Sequence, residues 1–132
     1  MLSKGRNTPE VAEGRTLMLP VKGGAKIFDG SIVAVDAAGF AVPGTKATGL
    51  TAAGRAEELV DNTSGTDGAL SIRVRRGVFV WSNSQTGTIG AKDVLKNCYI
   101  EDDETVTITA TSASIAGKVL GFEDGDVIVE IL

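Results

Sequence analysis

Histidine is absent from all 132 residues, and cysteine occurs once, at Cys98. The first absence removes the commonest general base near neutral pH and the commonest neutral metal ligand. The second forbids an intramolecular disulfide and, together with the first, a zinc site of the usual Cys/His type. Cys98, flanked by Tyr99 and Ile100, reads as a small buried hydrophobe, and a lone thiol fits a reducing cytoplasm. Aromatic residues are 5% of the chain. No apolar run approaches the roughly 20 residues a helix needs to span a bilayer. Met1 to Glu13 is polar and carries both signs of charge, so no secretory signal is expected and the chain should be soluble and intracellular at synthesis.

What is plentiful is glycine, at 17 residues, in a chain whose size suits one domain burying about two-thirds of its unfolded surface. High glycine with few aromatics suits a compact sheet with many tight corners. Charge is unevenly placed. Residues 101–132 hold eight acids against one lysine, whereas the first hundred residues are slightly basic, and the whole chain carries −4. An acidic back end makes direct nucleic-acid binding unexpected, because phosphate neutralisation needs a basic surface.

Period-2 alternation of β-branched residues dominates the last third. Thr105-Val106-Thr107-Ile108-Thr109 alternates, and Lys118 to Phe122 and Asp126 to Leu132 flank the turn residues Glu123-Asp124-Gly125. This is the pattern of antiparallel sheet with a hairpin. Upstream, Ser31 to Val35 is a short continuous apolar run that reads as a buried strand, with both Val33 and Val35 inside. Gly49 to Asn62 reads as extended. A two-turn helix over Ala52 to Val60, capped by Thr51, is its rival, and Gly54 weakens the helix by about 1 kcal/mol. Ser71 to Trp81 is the longest strand. A bulge at Arg76-Gly77 is expected to keep Arg76 out and turn Phe79 and Trp81 inward. Ala91 to Lys96 allows at most a single helical turn.

The fold class read from these elements is all-β: a small antiparallel β-barrel or β-sandwich. Gly5, Pro9, Gly14 and Pro20 deny the start of the chain a regular period. Residues 1–20 are therefore read as an extended N-terminal arm, with Thr16 to Leu19 as its only strand-like part, and 21–132 as a single β domain.

No residue set nominates itself as catalytic, cofactor-binding or metal-ligating. Glu101-Asp102-Asp103-Glu104 places four acids side by side, whereas calcium loops space their ligands at alternate positions and close with a distant Glu, so a solvated turn is the reading here. Gly65-Thr66-Asp67-Gly68 lacks the Lys-Ser/Thr of a phosphate loop. Arg73, Arg75 and Arg76 form the one basic cluster. The functional reading pairs them with the acidic C-terminal third of a neighbouring subunit, through Glu101 and Asp103; the plainer one leaves them in solvent.

The series Asn7-Thr8-Pro9-Glu10, Gly24-Ala25-Lys26-Ile27-Phe28, Gly30-Ser31-Ile32-Val33-Ala34-Val35-Asp36, Gly39-Phe40-Ala41-Val42-Pro43-Gly44 and Gly54-Arg55-Ala56-Glu57-Glu58 before Val60-Asp61-Asn62-Thr63 fills the first half. Val74-Arg75-Arg76-Gly77-Val78-Phe79, Cys98-Tyr99-Ile100-Glu101-Asp102-Asp103 with Thr105-Val106, and Ala116-Gly117-Lys118-Val119 continue it. Together they resemble small structural proteins of tailed bacteriophages and prophages, usually encoded near the major capsid gene. The resemblance runs from about Asn7 to Val129 and rests on β and turn motifs without chemistry. It implies a non-enzymatic virion structural protein that decorates or cements the capsid exterior, with the major capsid protein as partner. It further implies assembly in the host cytoplasm and a homo-oligomer, a trimer if it sits on local three-fold axes. No cofactor, nucleic acid or membrane is implied. The rival reading is a ligand-binding or enzymatic β-barrel whose pocket uses Tyr99, Trp81 and an acid such as Glu101.

Overall fold

The computed structural model describes residues 1–9 and 14–132. Its strands, in chain order, are β1 (Thr16–Pro20), β2 (Lys26–Ile27), β3 (Ile32–Val35), β4 (Ala41–Pro43), β5 (Thr51–Ala56) and β6 (Val60–Asp61), then β7 (Ser71–Arg75), β8 (Gly77–Asn83), β9 (Asn97–Ile100), β10 (Thr105–Thr107), β11 (Ile115–Glu123) and β12 (Asp126–Ile131). A 3-10 turn, Ala91–Asp93, precedes β9. Among the described residues no helix is long and apolar enough to cross a membrane.

The fold is all-β, with a barrel and an open sheet packed together. β1-β7-β5-β3-β4 form a five-stranded antiparallel sheet, β10-β8-β12-β11-β9 close into a barrel, and β2 pairs with β6 as a short ribbon. One pair in the barrel departs from the antiparallel expectation: β10 runs parallel to β8, Thr105 opposite Ser82 and Val106 opposite Asn83. Five strands dictate this, because directions cannot alternate all the way round a closed ring of odd number. One parallel neighbour is obligatory.

The apolar run of β3 is explained by position. Ile32 and Ala34 face the core that holds Trp81, Ile100, Val119 and Val127, while Val33 faces a second core with Val21, Ile27 and Ile72. A strand covered on both faces has no polar side to present. Val35 is a correction: it is only half-buried, because it ends the strand just before the Asp36 turn.

Gly49 to Asn62 is extended rather than helical. Gly54 sits in β5 at φ 146°, and a Cβ there would run into the Arg75 carbonyl of β7. The strand therefore needs glycine where a helix would have been weakened by it. At Arg76 the chain leaves the five-stranded sheet and enters the barrel at Gly77. Phe79 and Trp81 turn inward and Val78 and Val80 outward, as expected, but through a hand-over between two sheets rather than a bulge within one strand. The β11–β12 hairpin turns at Asp124 (φ 50°) and Gly125 (φ 85°), the two left-handed positions of a type I′ turn.

Residues 1–9 are exposed and form no strand, and residues 10–13 of the expected arm lie outside the described residues. Thr16–Pro20, counted with that arm, belongs to the sheet: it pairs with β7 over five positions, from Thr16 opposite Arg75 to Pro20 opposite Ser71.

Candidate interaction surface

The basic cluster lies where the two units meet. Arg73 and Arg75 project from the outer face of β7, while Ile72 and Val74, which alternate with them, are buried. The Arg73 backbone N–H donates to Glu58 Oε2 at 2.9 Å. Arg76 fills the hand-over, its backbone N–H donating to the Arg15 carbonyl at 2.7 Å. A cleft of about 350 Å³ is lined by Arg15, Arg75 and Arg76 with Gly77, Val78 and Phe79. Among the described residues the ion pairs are Lys22–Asp36 and Arg55–Glu57, so none engages Arg73, Arg75 or Arg76.

The acids predicted to meet these arginines lie elsewhere, and one is already occupied. Glu101 begins the β9–β10 turn and accepts a 2.6 Å hydrogen bond from the buried Ser84 hydroxyl. That hydroxyl also accepts from the backbone N–H groups of Gly87, at 2.9 Å, and Thr86, at 3.3 Å. Asp103 sits in the same turn, and its carbonyl accepts from Ile32 N–H at 2.7 Å, joining the barrel to β3. Within one chain, then, the arginines and Glu101/Asp103 are not brought together.

Two carboxylates titrate below their ordinary range. Asp36 is held down first by the Phe40 backbone N–H, with help from Lys22 and the Ala38 N–H. Asp61 is held down by the Thr63 hydroxyl and backbone N–H. Both are turn braces. Cys98 is fully buried, its S–H donates to the Gly117 carbonyl at 3.6 Å, and burial pushes the thiol up to about 11. A thiol so placed is a poor nucleophile. Among the described residues no group of three His, Cys, Asp or Glu is placed to hold a metal ion.

Trp81 and Tyr99, named for the rival pocket, do not form one. Trp81 is buried in the barrel core against Phe79, ring centroids 5.9 Å apart, and its indole N–H finds no hydrogen-bond partner. Tyr99 is half-buried in β9 between Thr107 and Ile115 of the flanking strands. Four clefts stand out among the described residues, and neither ring lines any of them. The largest, about 550 Å³, is an open trough between β5 and β11 lined mainly by Gly, Ala, Ser and Leu.

Sequence reasoning missed Arg55. Its guanidinium sits over the Phe79 ring, 4.8 Å from the centroid, and donates to Glu57 Oε1 from Nη2 at 2.7 Å and from Nε at 3.3 Å. Alternation along an extended segment puts Arg55 and Glu57 on one face, so that half of the contact was available to a reader who trusted the strand.

No family model matches the chain, and neither does any curated protein or solved structure.

Proposed function

We infer that the chain is a non-enzymatic structural protein of a tailed-bacteriophage or prophage particle. It docks on the capsid exterior, contacts the major capsid protein and cements the head shell after synthesis in the host cytoplasm. The observation that supports this reading is the distribution of the phage-like motifs over the fold. The motifs from Gly24 to Glu58 supply β2, β3 and β4 and the second half of β5, and those from Val74 to Val119 supply the end of β7, the start of β8, most of β9 and part of β11. The resemblance therefore follows both units and the hand-over between them. Cement of this kind acts by adding buried area across weak subunit seams, multiplied by symmetry, and asks for no reactive side chain. The absence of histidine and the inert Cys98 agree with that. The ligand-binding barrel has less behind it, since Trp81 packs as core while Tyr99 lies half-buried on the opposite side of β9 from Cys98 and Ile100.

Rebinding tests the reading. Heads purified from the source phage or induced prophage after deletion of this gene should co-sediment the added chain, saturably and at a fixed ratio to the capsid protein. Failure to bind heads at micromolar concentration would overturn the assignment.

A further inference from the structure

The outer face of β8, β12 and β11 carries an exposed apolar row of a kind a solvated barrel wall does not need. Val80 stands directly opposite Ile128, and Ile128 opposite Gly121. A register shift between Val119 and Gly121 leaves Leu120 as the extra residue, turned outward. Val78 and Val80 are 52% and 45% exposed, and Leu120 is 37% exposed. Leu95 flanks the row, 68% exposed, with its N–H on the Val119 carbonyl and its backbone at φ 69°. Left-handed geometry in a bulky exposed residue is an outlier that costs stability and points to use.

Charge frames this row with opposite signs at its two ends. Toward the start of β8 lie Arg15, Arg75 and Arg76 around their cleft, with Lys118 on β11 beside Glu130 of β12, so this end keeps a net positive charge. Toward the β11–β12 turn lie Glu123, Asp124 and Asp126, all exposed. Arg76 precedes Val80 by four residues and Asp124 precedes Ile128 by four. The chain reverses at Asp124 and Gly125, so at 3.3 Å per residue the basic end lies roughly 13 Å from the Val80–Ile128 pair and the acidic end roughly 7–10 Å on its other side.

We propose that this face is the contact with a second copy of the same chain, related by a two-fold axis running across the strands along the Val80–Ile128 row. That axis stacks one copy's apolar row on the other's and sets the basic end of each against the acidic turn of its partner. Such a contact is isologous and closes as a dimer. An axis along the strands would instead oppose like charges, which is unfavourable. The inference goes beyond the structural role above and does not depend on it. It replaces Glu101 and Asp103 with Glu123, Asp124 and Asp126 as the partners of the arginines, and a three-fold with a two-fold.

Sedimentation velocity of the full chain decides it. Wild type at micromolar concentration should have about twice the 13.6 kDa chain mass. Val80→Arg should be monomeric with unchanged circular dichroism and a Tm within a few degrees of wild type. Should that variant misfold, the charge exchange carries the test alone. Arg75→Glu with Arg76→Glu should weaken the dimer at least tenfold, and adding Glu123→Lys with Asp126→Lys should restore most of that loss. A monomer or trimer for wild type, a folded Val80→Arg variant that still dimerises as wild type does, or a combined variant no tighter than the arginine variant would overturn the proposal.

Discussion

Ser84 and Glu101 form a closed unit inside the barrel wall: the buried hydroxyl donates to the carboxylate at 2.6 Å while receiving the Gly87 N–H at 2.9 Å. The loop from Ser84 to Gly90 is thereby tied to the β9–β10 turn. Removing the hydroxyl leaves a buried N–H and a carboxylate unpaired, at a cost of about 1–3 kcal/mol. Ser84→Ala should lower Tm by roughly 5–10 °C, while Glu101→Gln, which keeps an acceptor, should lower it much less. Thermal melts that show no loss for Ser84→Ala would mean the hydroxyl is not the tie.

Gly54 is predicted to be irreplaceable. Alanine there meets both a left-handed backbone, φ 146°, and the Arg75 carbonyl, so β5 and β7 must part. Gly54→Ala should be insoluble or strongly destabilised. Gly5→Ala, with nothing within 4 Å of the added carbon, is the control and should melt as wild type does. Equal denaturant midpoints for the two variants would contradict the packing of β5 on β7.

Val33 is fully buried in the second core, between β4 and β5. Val33→Asp places an unpaired carboxylate there at a cost of several kcal/mol, against a total stability of about 5–15 kcal/mol. The half-buried Val35 should accept Thr with little loss. Folded, soluble Val33→Asp protein would contradict the double-faced burial of β3.

Cys98 gives the fold an alkaline weakness. The folded thiol holds its proton more tightly than the unfolded one, about 11 against 9.0. Below pH 9 the full contribution is present. Between about 9 and about 11 the folded state binds the extra proton, so stability falls as pH rises, by an amount on the order of 2 kcal/mol. Denaturant titrations of wild type and Cys98→Ala should therefore converge across that window. At pH 8 the native thiol should resist a thiol reagent that labels the unfolded chain fully. Rapid native labelling, or a gap that stays constant from pH 8 to 11, would show Cys98 to be accessible.

Much of the fold was legible because it is written in local terms. The Asp124-Gly125 turn, the apolar run of β3 and the phase change at Arg76-Gly77 each follow from backbone preference or side-chain period. The parallel placement of β10 beside β8 was not legible, since Thr/Val alternation is the same whatever the direction of the neighbour. Nor was the division of Ser71 to Trp81 between two sheets, which depends on how the barrel closes. The candidate surface was half legible. Arg73, Arg75 and Arg76 announced themselves as a cluster, but Glu101 could not be known to answer Ser84, 17 residues away in the chain. The row of Val78, Val80, Leu120 and Leu95 comes from separate segments and exists only once β8, β12 and β11 are side by side.

The most direct measurement is electron cryomicroscopy of heads purified with and without this gene, paired with quantification of the chain in the purified particles. The account predicts added density on the outer capsid surface that fits the barrel and the five-stranded sheet, at a fixed ratio to the capsid protein. It also predicts that heads without the gene break at lower temperature. Purified heads that lack the chain, or reconstructions that are identical with and without it, would contradict a structural role on the capsid.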